Sequence, residues 1–592
     1  MKHYEVHFQP DGKTIRIHSG AMVLDAAQQA GVVLHTACGG QGTCEKCQVR
    51  LLPEGERVLA CQYPVYRDLR VEISETSRFS RHKILSSGQG REVQINPALS
   101  KRHFRLQEWT PQEFQDALSN RNRVSESVLS KLTSLDHSQG GVTAVSHWAP
   151  DSADDSAGLW EVIDLEAGDT TDRLFGVAVD VGTTTVVAKL VDLLSGQVRA
   201  TAATTNPQIR YGDDVISRIL YADRPEGNGQ LQQAIAECLD ERIGQLCSEA
   251  SVERKDIYEV VAVGNTTMSH LLLGLPVRQL GQAPYCAFSC DSQDRLASEF
   301  GIHIHPAGRL HTLENLAGFV GSDTLAVALA VGMDQETKNT LAVDIGTNGE
   351  VVIGTRDRMV SCSCAAGPAL EGARISQGSR AVDGAIEAVV VADGDIDVDV
   401  IGDCPASSLC GSGLIDAVAV MLDLEILDIT GRFVELDSIQ ECLPKAILPR
   451  RIQRDGQGAF VLAWQADGSP AVVLTQKDIR ELQLAKAAIR AGIRLLQQQA
   501  GMDDKQIDQI LLAGAFGNFI RRESALRIGL LPDVRVEKIH FVGNAAAAGA
   551  QMALNSRQSR MIASRLARQI EYIEIAHQSV FQTVFTDCLM FP

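Results

Sequence analysis

The sequence predicts an α/β protein of several domains: a small β-grasp module at the N-terminus, a small middle domain, and a large C-terminal α/β part made of two similar halves. Three observations predict it. The stretch Phe175-Gly-Val-Ala-Val-Asp-Val-Gly-Thr-Thr-Thr-Val-Val-Ala-Lys189 recurs roughly 160 residues later as Leu341-Ala-Val-Asp-Ile-Gly-Thr-Asn-Gly-Glu-Val-Val-Ile353. The first seventy or so residues read as a hairpin, a helix and a cysteine-bearing glycine loop. A chain of 592 residues also exceeds what one hydrophobic core holds.

Composition narrows the class. Hydrophobic residues make up 45% and charged residues 22%, the balance of a globular chain rather than a disordered one. No run approaches the apolar length of a membrane span, and Met1-Lys-His-Tyr-Glu-Val-His-Phe8 has no signal-peptide pattern, so the expectation is a cytoplasmic protein that does not enter a membrane. A net charge of −19 argues against a nucleic-acid partner. Fourteen cysteines in such a compartment are not a disulfide framework. Four of them crowd between Cys38 and Cys61; others, such as Cys238, Cys247 and Cys442, sit in apolar settings and read as buried structural thiols.

Residues 3–8 and 14–18 alternate and are joined by the turn signal Pro10-Asp-Gly12, which predicts a β-hairpin. Val23 to Ala30 carries good helix formers and stops at Gly31, a C-terminal cap. The loop Cys38-Gly-Gly-Gln-Gly-Thr-Cys44-Glu-Lys-Cys47 follows, with Cys61 further on inside Val58-Leu-Ala-Cys-Gln62. Three close thiolates on a glycine loop and a fourth from a later segment suit a [2Fe–2S] cluster, because the glycines let backbone N–H groups approach the sulfides. Structural zinc is the competing reading, but zinc ribbons use two separated Cys-x₂-Cys knuckles, whereas here the spacing is C-x₅-C-x₂-C and C-x₁₃-C. The order of elements resembles [2Fe–2S] ferredoxins, except that the fourth cysteine comes sooner than in plant-type ones. The domain, 1–76, closes with the strand Leu69 to Ile73.

Residues 77–94, rich in Ser, Arg and Gly, read as a linker. A small middle domain, 95–170, is expected to be helical from Leu106 to about Leu135, starting at Thr110-Pro-Gln-Glu113, with Asp151 to Gly158 as a solvated loop near its end.

Residues 171–592 carry the duplicated device. In each copy an apolar strand, a turn Asp-x-Gly-Thr-x and a returning strand form a hairpin. The first tip holds Asp180, Gly182, Thr183, Thr184 and Thr185; the second holds Asp344, Gly346, Thr347 and Asn348. A single copy reads equally well as an ordinary turn. Two copies aimed into one cleft would grip nucleotide phosphates from both sides, with Asp180 and Asp344 facing Mg²⁺ and its waters. These tips resemble the phosphate loops of the actin, Hsp70 and sugar-kinase (ASKHA) superfamily. Gly514-Ala515-Phe516-Gly517, at the end of a strand, resembles its adenosine motif, and Val261 to His270 and Ile539 to Gly549 its two connecting motifs. His270 reads as a hydrogen-bonded core residue and Cys362 and Cys364 as structural thiols. The glycine-rich stretches Ala365–Arg374 and Leu409–Asp416, the second leading into a helix from Leu414 to Leu424, either line the cleft or allow close packing. Thr475-Gln-Lys-Asp478 opens a long amphipathic helix that ends at Gly501.

Taken together, the cysteine loop, Val58–Gln62, both tips, Ala366-Gly-Pro-Ala-Leu-Glu-Gly372, Leu512–Gly517 and the terminal Phe591-Pro592 resemble the reductive activators of corrinoid proteins, over nearly the whole chain. The resemblance implies a [2Fe–2S] ferredoxin domain fused to an actin-like ATPase domain, and an enzyme, commonly a homodimer, that uses ATP to return Co(II) in a corrinoid protein to Co(I). An unidentified low-potential donor would reduce its cluster. Two other classes compete: a chaperone-like ATPase whose ferredoxin domain senses redox state, and a small-molecule kinase, for which no catalytic-base Asp in a sugar-binding motif is evident.

Overall fold

The computed structural model of the chain describes residues 2–9, 12–30, 32, 34, 47–73, 90–105, 116, 122–124, 126–132, 141–151, 154–212, 214–346, 348–372, 374–379, 381–514 and 520–592. The N-terminal sheet has five strands, in spatial order Lys13–His18, His3–Gln9, Leu69–Ile73, Gln48–Leu52 and Glu56–Leu59. His3–Gln9 runs parallel to Leu69–Ile73 while the other pairs are antiparallel, the β-grasp pattern. The period of two along each strand points Val6, Phe8, Val49, Leu51 and Val71 to one face, where Val23, Ala26 and Ala27 of the helix Val23–Gln29 cover them. The predicted cap Gly31 and the turn residues Pro10 and Asp11 lie outside the described residues, as do 77–89 of the linker. Where the linker is described it is held: Arg91 pairs with Asp334 at 2.9 Å and donates its N–H to the Ala330 carbonyl.

The middle domain combines strands with part of the expected helix: within 106–135, Asp116 and Glu126–Leu132 are helical, Asn122–Val124 is a strand, and the rest lies outside the described residues. It is a four-stranded sheet, in the order Leu99–Phe104, Val142–Asp151, Asp154–Ala167 and Asn122–Val124, with a short helix Glu126–Leu132; Thr110 to Glu113 lies outside the described residues. Asp151 to Gly158 is accordingly no broad loop. Asp151 pairs with Asp154 at the tip of a long hairpin, and Gly158 lies so close to the Trp148 indole that a Cβ would come within 1.8 Å of it. Acidic and small residues read as a loop by composition, yet the strand pairing from Asp154 onward overrides that weak local preference.

The C-terminal part repeats one plan twice. In the first half Phe175–Val181 pairs antiparallel with Thr185–Asp192 and parallel with Ile257–Gly264. In the second half Thr340–Ile345 pairs antiparallel with Gly349–Thr355 and parallel with Gln509–Ala513. Each pattern is the centre of a six-stranded sheet. The near-continuous burial of Phe175–Val181 and Thr340–Ile345 explains their unbroken apolar sequences, since both faces of each sheet are covered. The helices Ser322–Ala330 and Ala545–Asn555, one from each half, pack so closely that a Cβ at Gly549 would lie 2.1 Å from the Ala326 oxygen. Asp180 and Asp344, near the C-terminal ends of the two central strands, lie within reach of each other's charge. Two three-stranded sheets, Ala385–Leu409 and Arg451–Thr475, are inserted in the second half.

The helix Gln476–Ala500 follows its sequence signals closely. Thr475 and Asp478 form a reciprocal capping box, and Gly501 ends it at φ 68°. Such a cap contributes about 1 kcal/mol. Residues Leu482, Ala485, Ile489, Ile493 and Leu496 are buried along one stripe. The small N-terminal domain touches the second half, where His3 Nε2 meets Asp399 Oδ1 at 2.8 Å. Among the described residues no helix is long and apolar enough to cross a membrane.

Candidate functional site

The first tip is stiff because its backbone is tied down from three sides. Gly182 N–H donates to the Thr185 carbonyl at 2.9 Å, and a Cβ at Gly182 would lie 2.7 Å from that oxygen, so only glycine closes this turn. Asn206 donates from Nδ2 to the Gly182 carbonyl and from its N–H to the Thr184 carbonyl, each at 2.8 Å. Arg218, wholly buried on the helix Val215–Ala222, donates to the Thr183 carbonyl at 2.6 Å. Asn265, the N-cap of the helix Thr266–Leu272, donates to Thr183 Oγ1 at 2.9 Å. The Val-Gly-Asn-Thr-Thr segment thus supports the tip directly.

The second tip mirrors it. Gly346 N–H donates to the Asn348 carbonyl at 3.0 Å, and Asp344 pairs across the hairpin with Glu350. Gly514 follows the neighbouring parallel strand with φ 92°; a Cβ there would come within 2.6 Å of Asp344 Oδ1. The second half also reaches the first tip. Asn544 caps the helix Ala545–Asn555 by accepting from Ala547 N–H at 2.7 Å, and its Nδ2 donates to Asp180 Oδ2 at 2.8 Å. The structure therefore brings Asp180 and Asp344 within reach of each other's charge, with Gly182, Thr183 and Thr184 on the first tip, Gly346 and Asn348 on the second, Gly514 beside Asp344, and Thr185 exposed. Thr347, Ala515, Phe516 and Gly517 lie outside the described residues.

Electrostatics mark this cleft. Burial lifts the Asp180 carboxyl to about 6, against the pull of its Asn544 hydrogen bond and the Lys189 charge. Burial, then the charges of Asp323 and Asp180, lift Asp344 to about 8. Asp323, near the start of Ser322–Ala330, and Glu350 are raised in the same way, by burial first and by the neighbouring carboxylates. Lys189 is buried and falls to about 8 for the same reason. Four carboxylates held this close are costly when ionised unless cationic charge joins them. Residues that hold a hydrated divalent cation and a phosphate chain fit this cradle.

Asp323, Glu350, Lys189, Asn265 and Asn544 escaped the sequence reading as site residues. Two had a signal: Gly264-Asn265 and Gly543-Asn544 both stand at the end of an apolar strand, where an Asn N-cap is expected. Nothing local in Gly321-Ser-Asp-Thr324 distinguishes Asp323 from an ordinary first-turn acid. Within the glycine-rich stretch Ala365–Arg374 both readings have a contact: Glu371 Oε2 accepts from Thr184 Oγ1 of the first tip at 3.0 Å, and Gly372 packs so closely that a Cβ would lie 2.1 Å from the Ser379 oxygen. Leu409–Asp416 packs behind it, its Leu409 carbonyl accepting from Ser379 N–H, and opens the helix Gly411–Asp423.

Among the thiols, Cys47 and Cys61 are 1% and 6% exposed, with sulfurs 3.3 Å apart. Two thiols this close in an apolar wall suit adjacent ligands of a metal centre, and Ala60 N–H to the Cys47 carbonyl at 3.0 Å fixes their spacing. Cys38 and Cys44 lie outside the described residues. His270 is a core residue: Nδ1 bonds the Thr266 carbonyl at 2.7 Å, and Nε2 accepts from the Phe288 and Ser289 N–H groups. Cys362 and Cys364 are buried against Gly492 of the long helix. Cys442 corrects the expectation of a buried thiol; it is exposed, because Ile439 and Leu443 beside it take the core positions.

Comparison with known proteins matches three stretches of the chain to family models. Residues 6–66 match the 2Fe-2S iron-sulfur cluster binding domain, 175–336 the RACo middle region, and 338–592 the C-terminal domain of RACo, the ASKHA domain. The corrinoid activation enzyme RamQ of Eubacterium limosum is 33% identical over 590 residues, 98% of this chain and 97% of its own. A reductase of the Co(II) methylated amine-specific corrinoid protein from Methanosarcina barkeri is 23% identical over 64% of this chain and 70% of its own. A solved reductive activator for corrinoid, iron-sulfur protein superposes with a TM-score of 0.75 at 33% identity, covering 100% of this chain and 98% of its own. Residues 6–66 thus form a [2Fe–2S] domain and 338–592 a nucleotide-binding ASKHA domain. The chain belongs to the family of reductive activators of corrinoid proteins.

Proposed function

We propose that this protein is an ATP-dependent iron–sulfur reductase that returns an inactive Co(II) corrinoid protein to Co(I). The observation that carries the reading is the union, in one chain, of a cysteine pair suited to a cluster with a cleft whose two tips and four buried carboxylates suit a nucleotide and its cation. When bound, a [2Fe–2S] centre of plant type supplies one electron at a potential near about −400 mV. Each ~100 mV of uphill transfer costs about 2.3 kcal/mol. The nucleotide state offsets that cost by changing the affinity for the corrinoid partner or the surroundings of its cobalt.

In this account Cys38, Cys44, Cys47 and Cys61 hold the cluster. Gly182 to Thr185 and Gly346 to Asn348 receive the phosphates, and Gly514 to Gly517 contact the adenosine. Asp180 and Asp344 face Mg²⁺. Among the described residues no three His, Cys, Asp or Glu side chains converge as a direct metal shell, which favours Mg²⁺ held through waters and phosphate oxygens. A separate low-potential donor, a homodimer and a cytoplasmic setting complete the proposal. The test is to incubate the reduced protein with Co(II) corrinoid proteins of its own organism, with and without MgATP, and to follow the Co(I) absorption band.

A further inference from the structure

One side chain of the second half crosses the cleft to the first phosphate tip without belonging to the carboxylate group around Asp344. Glu371 ends the short turn Pro368–Glu371, and its Oε2 accepts from Thr184 Oγ1 at 3.0 Å. The loop that carries it is stiff. Ala369 and Leu370 are 3% and 1% exposed, and Gly372 takes φ +80° with space for no Cβ, which would lie 2.1 Å from the Ser379 oxygen. Thr184 is fixed in turn by Asn206 N–H on its carbonyl. The carboxylate is thus presented at the hydroxyl edge of the tip by two rigid supports.

Resting on the ATPase reading above, we propose that Glu371 is the general base of ATP hydrolysis. Asp180 and Asp344 are assigned above to the waters of the cation and Asp180 also accepts from Asn544, while Asp323 and Glu350 belong to the same buried carboxylate group. Glu371 meets the tip at Thr184 instead. It takes a proton from a water whose oxygen forms the new bond to the γ-phosphorus. The bond from that phosphorus to the β,γ-bridging oxygen breaks, its electron pair stays with ADP, and the proton leaves with the released phosphate.

Glu371→Gln keeps the shape and the Thr184 contact but removes the basic oxygen. Phosphate release with MgATP should fall by roughly 10²–10⁴-fold, while calorimetric titration with MgATP and MgADP gives unchanged affinities and the cluster spectrum is retained. Glu371→Ala should regain part of its rate in added formate. Two results would overturn the proposal: hydrolysis by Glu371→Gln at the rate of the unaltered protein, or a loss of nucleotide affinity as large as the loss of rate with no rescue by formate, which would make Glu371 a latch between the halves. No corrinoid protein enters the assay, so failure of the reductase reading would leave its outcome standing.

Discussion

Replacing Asp344 by Asn tests the electrostatics of the cleft directly. Burial beside Asp323 and Asp180 raises the Asp344 carboxyl from 3.8 to about 8. For an acid whose folded pKa is raised, the contribution to stability is fully present below the unfolded value and is lost as pH climbs through the folded one. Between pH 4 and pH 8 that is roughly four pH units, an upper limit on the order of 5 kcal/mol, reduced by water in the cleft. Asparagine carries no charge at any pH. Without nucleotide at pH 8 the variant should therefore be more stable than the unaltered chain, by ~1–4 kcal/mol, read as a rise of several degrees in the thermal unfolding of the C-terminal part. At pH 4.5 most of that gain should vanish, because the carboxyl of the unaltered chain is then protonated. MgADP, which raises the transition of the unaltered protein by binding its folded form, should shift the variant far less. A variant less stable at pH 8, or one that keeps the full MgADP shift, would refute the reasoning.

Other outcomes follow from single contacts. Gly514→Ala puts a Cβ 2.6 Å from Asp344 Oδ1 and 2.8 Å from the Ile345 oxygen, so ATP titration should show weakened binding while the cluster spectrum is intact. Asn544→Ala removes a helix cap and a bond to the Asp180 carboxylate; together these amount to about 2–4 kcal/mol, measurable by denaturant unfolding of the C-terminal part. Cys61→Ser should abolish labile sulfide and the visible spectrum without altering ATP affinity, whereas stoichiometric zinc and no sulfide in the unaltered protein would contradict the cluster assignment.

How much the sequence disclosed depended on whether a signal was local. The long helix from Gln476 to Ala500 was legible because its cap, stripe and terminal glycine lie within one stretch. Both tips were legible because the motif is repeated. Asp323 was not, since its role exists only after its helix has packed beside the hairpin that carries Asp344, whereas Glu350 is the cross-strand partner of Asp344 and a register count along the hairpin places it. Lys189 stands at the end of the repeated strand, yet only the fold turns it towards Asp180. Glu371 lay within a stretch recognised as glycine-rich, but its partner Thr184 comes from the opposite half. The middle domain misled for the converse reason. Its strands Val142–Asp151 and Asp154–Ala167 are joined by Asp, Ser and Ala, residues typical of loops, and it is the pairing of Trp148 with Trp160 and the close approach of Gly158 that make them one ribbon.

The central claim, that one chain spends ATP at one site to deliver an electron from another, is tested most directly by following Co(I) formation in a Co(II) corrinoid protein with three forms of the pre-reduced protein. The unaltered chain should give the Co(I) band only with MgATP. Cys47→Ser should give none under any condition, and Asp344→Ala should keep a reducible cluster yet yield no Co(I) when MgATP is added. Co(I) formation by Asp344→Ala at the rate of the unaltered protein, or by the unaltered protein equally well without nucleotide, would contradict the account.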